Sequence, residues 1–133
     1  MPKIVWDNAY NIGNEIIDSQ HRELIEYFNA AHEQMLSNKD TSSLGLDALI
    51  KMVDYCRYHF DSEEAYMEKI GFSDLKAHKK IHEAFHSKLK GLLIMNEGEW
   101  LLTSQILKIF ENWIIHHILN LDKKIVEETS DKP

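Results

Sequence analysis

The chain has few of the residues that interrupt helices or cross-link a fold. Proline occurs only at positions 2 and 133, and glycine only five times in 133 residues. Long stretches can therefore remain helical without a break. The single cysteine, Cys56, excludes an internal disulfide and is typical of a reducing compartment. We therefore expect a cytoplasmic protein.

Long apolar runs and an excess of basic residues are also missing. No run approaches the ~20 apolar residues that cross a bilayer, and the first residues contain no apolar signal segment. We expect neither membrane insertion nor secretion by that route. The net charge of −7 leaves no basic stripe, so no nucleic-acid partner is expected. A length of 133 residues with 44% hydrophobic and 28% charged residues predicts one folded domain, 1–133.

Apolar residues recur at helical spacing in four long segments. Asp18 is the predicted N-cap of the first helix, and Gly71 is the predicted left-handed cap after the second. The four helices are predicted to run from near Asp18 to a loop at 37–43, from that loop to Lys69, from a cap at Ser73 or Asp74 to a loop at 96–99, and from Trp100 to about Glu128.

Helices of about 20 residues or more, each ~30 Å long, predict one architecture when short loops join them. The fold class is all-α, an up-down-up-down antiparallel four-helix bundle over residues 18–128. Residues 1–17 are apolar in part but lack helical periodicity. We expect them to form an extended N-terminal arm packed along the bundle.

Histidines and carboxylates recur on these helices at spacings that suit metal ligands. Two pairs, His59 with Glu63 and His78 with His82, are four residues apart, so each pair shares one helix face. An isolated histidine on a helix is more often a solvated or hydrogen-bonded residue. Here, however, every predicted helix contributes to the candidate set, which is His21, His59, Glu63, His78, His82, His117 and Asp122.

The types of ligand indicate which metals would bind. Imidazoles with a few carboxylates suit iron, zinc or copper better than calcium or magnesium. Seven ligands are too many for one tetrahedral zinc, but two metals can share them if Glu63 and Asp122 each bridge both ions. Five imidazoles then divide as three and two. The metal with two histidines is one ligand short, and we expect a small molecule to bind there.

The spacing of His117 and Asp122 is unusual for two ligands of one site. Residues five apart on a regular α-helix are turned roughly 140° from each other. We expect a local widening of the helix near 119–121, of the kind found at functional sites, or a long reach by the carboxylate. His116 is the rival ligand on this helix, but it lies on a different face and His117 is preferred.

Other polar residues near these motifs are assigned outside the ligand set. His86 is predicted to be a surface or rim residue, His32 a residue at the edge of the core, and His116 an exposed one. Cys56 is expected to pack in the core rather than to do redox chemistry. Asp18 could instead orient His21, but capping is favoured.

Taken together, these motifs resemble the hemerythrin family, in its single-domain bacterial form. The resemblance covers nearly the whole chain and rests on Trp6–Asp7 leading to Ile12–Gly13, IDSQH at 17–21, HFDSEE at 59–64, HKKIH at 78–82 and WIIHHILNLD at 113–122. It implies a non-haem di-iron centre, oxo- or hydroxo-bridged, that binds O2 reversibly. His78, His82 and His117 would hold the saturated iron, and His21 and His59 the iron that accepts O2.

The same resemblance implies a role in oxygen storage, transport or delivery rather than an enzyme. An O2-consuming enzyme is the expected recipient, and the oligomeric state is left open. An apolar wall around O2 is expected from Leu24, Phe60, Trp113, Ile114 and Ile118. The alternatives are a redox enzyme with peroxidase, oxidase or nitric oxide chemistry, an O2 or redox sensor, and iron handling or repair. Related sensors are generally attached to a signalling domain, and we do not expect one within these 133 residues, so a sensor of that kind is not favoured.

Overall fold

The computed structural model describes residues 3–37, 42–96 and 100–130. Its elements are a 3-10 turn at Asn8–Tyr10, α1 at Glu15–Ser37, α2 at Ser42–Ile70, α3 at Leu75–Asn96, α4 at Trp100–His117, a π-helical turn at Ile118–Asp122 and α5 at Lys123–Ser130. No strand occurs among the described residues. Most of the predicted 37–43 loop, the 96–99 loop beyond Asn96, and the last three residues lie outside them.

The helices form the predicted bundle. α1 packs against α2 and α4, and α3 packs against the same two helices, which closes a four-helix ring around one apolar core. Fully buried aromatic and aliphatic side chains from all four of these helices fill that core, among them Phe28, Leu49, Phe60, Leu89 and Ile114. The predicted all-α, up-down-up-down antiparallel bundle is therefore confirmed.

The start of the first helix differs from the prediction. α1 begins at Glu15, because the Asn14 side-chain oxygen accepts hydrogen bonds from the backbone N–H groups of Ile16 and Ile17 at 3.0 and 3.1 Å. These are N–H groups that the helix itself cannot satisfy. The prediction of Asp18 as N-cap, with the arm ending at 17, was wrong; Asp18 lies one turn inside the helix.

An Asn14→Ala variant should lower the free energy of unfolding by about 1 kcal/mol, the usual contribution of an N-cap side chain. For a chain of this length the midpoint of thermal unfolding should fall by about 4 °C. Asn11→Ala is the matched control, since the side chain of Asn11 is exposed. Equal midpoints for the two variants would contradict the assignment of the cap.

Asp18 instead fastens the N-terminal arm to the bundle. Its carboxylate accepts hydrogen bonds from the backbone N–H groups of Ile12 at 2.8 Å and Gly13 at 3.2 Å. Nearer the N-terminus, the arm is held by Asn29 of α1. The Asn29 side chain donates a hydrogen bond to the backbone carbonyl of Ile4 at 2.8 Å and accepts one from its N–H at 2.9 Å. Ile4 and Ile12 are buried in the core. The expected arm along the bundle is therefore present, with one 3-10 turn inside it.

The second helix ends as the sequence indicates. Gly71 has φ 69°, a left-handed conformation that glycine adopts without steric cost. The N–H of Phe72 donates to the carbonyl of Met67 at 2.9 Å, which satisfies one of the last carbonyls of α2. α3 then begins at Leu75, directly after Asp74. None of the described helices is both long and apolar enough to span a bilayer.

Candidate metal centre

All four walls of the bundle contribute side chains to one buried polar cluster. α1 supplies His21; α2 supplies His59 and Glu63; α3 supplies His78 and His82; α4 ends in His117, and the π-helical turn ends in Asp122. Each of these side chains is at most 3% exposed. The main apolar core lies on one side of the cluster, and a smaller group of Met67, Phe72 and Ile125 lies on the other. The structure thus brings together every residue of the predicted ligand set.

One side of the cluster contains three imidazoles. Glu63 Oε1 lies 3.0 Å from His78 Nε2 and 3.2 Å from His82 Nε2. Asp122 Oδ1 lies 3.1 Å from His78 Nε2 and 2.9 Å from His117 Nε2. One oxygen of each carboxylate therefore faces the same three histidines, and we call this group the three-histidine position.

The other oxygen of each carboxylate faces the remaining two imidazoles. Asp122 Oδ2 lies 3.0 Å from His21 Nε2, and Glu63 Oε2 lies 3.2 Å from His59 Nε2 and 3.6 Å from His21 Nε2. These four side chains form the two-histidine position. Since each carboxylate spans both positions, the arrangement has the three-and-two division expected for two bridged metals.

The π-helical turn explains how His117 and Asp122 reach the same place. The helix widens at Ile118–Asp122, where a π-helix takes more residues per turn than an α-helix. Residues five apart then lie on nearly the same face. The predicted distortion near 119–121 is confirmed, and His117 is buried whereas His116 is exposed.

Distances among the nitrogen atoms test whether a metal would fit. The Nε2 atom of His117 lies 3.0 Å from the Nε2 atoms of both His78 and His82. A metal–nitrogen bond of about 2.1 Å places neighbouring ligands of an octahedral ion about 3.0 Å apart, but those of a tetrahedral ion about 3.4 Å apart. The spacing of His117 from both of the other histidines therefore fits neighbouring ligands of an octahedral ion.

The hydrogen bonding of the cluster also indicates that metal ions fit there. Both oxygens of Glu63 and of Asp122, and the Nε2 atoms of His21 and His59, are buried and have no hydrogen-bond partner of good geometry. Buried polar atoms rarely remain unpaired in a folded protein, because each one costs free energy. These atoms point toward one another without forming hydrogen bonds of good geometry. Cations bound between them would give each atom a partner.

Protons can balance the charge of this cluster when metal is absent. Burial acts to lower the pKa of His21, but Asp122 and Glu63 outweigh burial and raise it to about 9. The pKa of His78 is raised to about 9 by the same two carboxylates against the same effect of burial. Burial would raise the pKa of Glu63, but the surrounding histidines hold it well below its usual range. Two imidazolium groups then face two carboxylates.

His59 behaves differently from these two histidines. Burial lowers its pKa, although Glu63 acts in the opposite direction. Because its pKa is lowered, His59 is held neutral, the form in which an imidazole binds metal. The pKa of Asp122 is also lowered: burial and the charge of Glu63 act to raise it, but the contacts with His117 and His21 prevail.

Two of the ligand histidines are held from behind by polar side chains. His82 Nδ1 lies 2.8 Å from Glu64 Oε2, and His59 Nδ1 lies 2.8 Å from Gln20 Oε1. Such partners fix which ring nitrogen carries the proton, and so leave Nε2 free to bind metal. Neither residue was predicted to have a role, although Gln20 and Glu64 each adjoin a ligand in the chain.

The aromatic residues of the predicted wall cover mainly the three-histidine position. Phe60 stacks on His82, with ring centroids 4.0 Å apart, and Trp113 stacks on His117 at 4.1 Å. Phe60 also contacts His59. Trp113 is half-buried and lines an outer groove of about 730 Å³ between α3 and α4. Leu24, Ile114 and Ile118 are fully buried, as is Phe60. The part of the predicted wall that is shielded from solvent therefore consists of these three aliphatic residues and Phe60.

The remaining histidines lie outside the cluster. His32 and His86 are half-buried and His116 is exposed, and none of them belongs to the two groups of potential ligands among the described residues. Cys56 is fully buried in the apolar core, and burial raises the pKa of its thiol. Asp18 binds the arm rather than His21. The burial of His32, His86, His116 and Cys56 therefore agrees with the positions predicted for them outside the ligand set.

The fold and the donor set together define a metal-binding four-helix bundle. The sequence profile of the hemerythrin HHE cation-binding domain matches residues 12–128, which is most of the chain. The protein therefore belongs to the hemerythrin family.

Individual relatives agree with this assignment. The chain is 29% identical to a bacteriohemerythrin of Pseudomonas paraeruginosa over 96% of its own length and 82% of the relative. It is equally similar to a bacteriohemerythrin of Clostridium acetobutylicum, over 92% of this chain and 98% of the relative. A crystal structure of a hemerythrin leucine-to-alanine mutant superposes with a TM-score of 0.80 at 26% identity, covering 92% of this chain and 94% of that one.

Proposed function

We propose that this protein binds O2 reversibly at a non-haem di-iron centre, for oxygen storage, transport or delivery in the cytoplasm. The observation that carries the proposal is the unequal division of five histidines around two shared carboxylates. The three-histidine position would be filled by three imidazoles, two carboxylate oxygens and one bridging oxygen. The two-histidine position has one imidazole fewer, and O2 would bind there. Two ferrous ions bound there would supply the two electrons that O2 takes up on binding and gives back on release.

The side chains of the chain would then perform three tasks. His78, His82 and His117 hold one iron, His21 and His59 hold the other, and Glu63 and Asp122 span both. Gln20 and Glu64 keep His59 and His82 in the tautomer that presents Nε2 to the metal. The buried wall of Leu24, Ile114 and Ile118 excludes water, which protects the bound state from protons.

The number of carboxylates favours binding over oxidation chemistry. Di-iron carboxylate proteins of the ferritin type surround their metals with four glutamates and two histidines. Among the described residues, only the carboxylates of Glu63 and Asp122 face both positions. Two ferrous ions would retain more positive charge in such a site, which disfavours the high oxidation states needed to cleave the O–O bond. We therefore propose a binding protein rather than an enzyme.

The first experiment is to load the chain with iron, reduce it without oxygen, count the iron, and record visible spectra as O2 is added and removed. We expect two irons per chain and a coloured form that appears with O2 and disappears when O2 is withdrawn. A zinc-loaded sample is the control, because zinc has no redox chemistry and should show no such colour. Two irons that oxidise at once and irreversibly would favour the redox enzyme or sensor. Fewer than two irons would contradict the proposed centre.

A further inference from the structure

The two metal positions differ in more than their number of histidines. Behind His82, at the three-histidine position, stands a carboxylate, Glu64, at 2.8 Å. Behind His59, at the two-histidine position, stands a neutral amide, Gln20, also at 2.8 Å. The distances are equal, so the difference between the two contacts is one of charge.

Each contact defines the state of the imidazole that it holds. A carboxylate can only accept, so His82 donates from Nδ1 and its Nε2 lone pair points to the cluster, 3.2 Å from Glu63 Oε1. The amide oxygen of Gln20 likewise accepts from His59 Nδ1, while its nitrogen donates to Ser62 Oγ at 2.9 Å. Both rings thus have the same tautomer, but only His82 has an anionic partner.

The anionic partner changes how the ring donates to a metal. A charge-assisted hydrogen bond is about twice as strong as a neutral one, and it draws the Nδ1 proton toward the carboxylate. The ring then carries more negative charge at Nε2 and becomes a stronger ligand. An amide oxygen withdraws much less of the proton. The Nδ1 atoms of His21 and His117 are buried and have no hydrogen-bond partner among the described residues, so they do not offset this difference.

We propose that Glu64 and Gln20 make the two metal positions electronically unequal. Glu64 makes the three-histidine position the tighter one and stabilises a ferric ion there. Gln20 orients His59 without adding charge, so the two-histidine position binds metal more weakly and favours ferrous iron. The inference rests on the proposed two-metal centre, and it assigns Gln20 and Glu64 as positioning residues that set the difference between its halves.

Cobalt(II) tests this inference without O2 or iron redox chemistry. We would titrate the metal-free protein with Co²⁺ and follow the ligand-field absorption, expecting two binding steps of unequal affinity. In Glu64→Gln, which keeps an acceptor but loses the charge, the tighter step should weaken by about 10- to 100-fold and the weaker step should not change. In Gln20→Glu the weaker step should tighten, so that the gap between the two steps narrows.

Reduction potentials of the iron form give an independent readout. A purely structural role would not move them selectively, whereas loss of the Glu64 charge should raise the midpoint potential of one of the two one-electron steps. Gln20→Glu should lower the potential of the other step. Urea unfolding of the metal-free variants checks that both proteins remain folded.

Two control variants separate the contact from a general effect of charge. Asp61→Asn removes an exposed carboxylate that lies three residues before Glu64 and pairs with Arg57, and Ser19→Glu adds a carboxylate at an exposed position beside Gln20. The controls should leave both cobalt steps unchanged. The inference is overturned if both steps shift together in Glu64→Gln, if neither shifts, or if Asp61→Asn has the same effect. Uptake of fewer than two Co²⁺ by the unaltered chain would overturn the two-metal centre as well.

Discussion

A Glu63→Gln variant is expected to lose the proposed di-iron centre. Glu63 is fully buried, and its two oxygens lie 3.0–3.6 Å from four histidine nitrogens. Glutamine has almost the same shape, but it has no charge and only one oxygen, so it cannot bridge two ions. Changing a partner behind a ligand typically costs 10- to 100-fold in metal affinity. Loss of a ligand shared by both metals should therefore cost at least about 100-fold.

The measurement is the iron content of the reconstituted chain after gel filtration. We expect the content to fall from two irons to one or fewer, and the O2-dependent colour to vanish. Glu68→Gln is the matched control, because it makes the same chemical change at an exposed position on α2. Circular dichroism of the metal-free proteins establishes that the bundle still forms. Retention of two tightly bound irons in Glu63→Gln would exclude Glu63 as the bridge.

Much of the fold and of the candidate site follows from residue spacing alone. Apolar periodicity located the helices because one face of each must be buried. Four of the seven ligands, His59, Glu63, His78 and His82, followed because residues four apart share a helix face, which is a local property of the chain. The spacing of His117 and Asp122 indicated either a local widening of the helix or a long reach by the carboxylate, and the structure has the widening.

The features that the sequence did not predict depend on contacts between distant segments. Asn14 and Asp18 are both good N-cap residues, and the position of the arm decides between them, because Asp18 binds the backbone of Ile12 and Gly13. Gln20 precedes His21 but supports His59 on another helix, 39 residues away. Trp113 shares a helix face with His117, yet only packing shows that it covers the three-histidine position. Local periodicity contains no information on such pairings.

An Ile114→Ala variant should accelerate the irreversible decay of the O2-dependent colour. Ile114 is fully buried, and it lies one turn before His117 with its side chain in the apolar core. Alanine removes three carbon atoms and leaves a cavity that opens the wall to water. In the proposed centre, water would bring protons that promote the loss of bound oxygen in a reduced form, with ferric iron left behind. We expect decay to be faster by at least about tenfold, equivalent to a barrier lowered by ~1.4 kcal/mol.

The variant will also be less stable, since an Ile→Ala change in a core typically costs about 2–5 kcal/mol, and this effect must be separated from the loss of the wall. Ile106→Ala provides the comparison, because Ile106 is equally buried on α4 but two turns further from His117. If the wall excludes water, only Ile114→Ala should decay quickly, while both variants unfold at similarly reduced temperatures. Equal acceleration in both would trace the decay to opening of the whole bundle, and unchanged kinetics in Ile114→Ala would remove this residue from the wall. Ile114 and Ile106 are the same type of residue, equally buried and on the same helix. A faster decay in Ile114→Ala alone could therefore not be explained by lower stability, and it would support a protective role for Ile114.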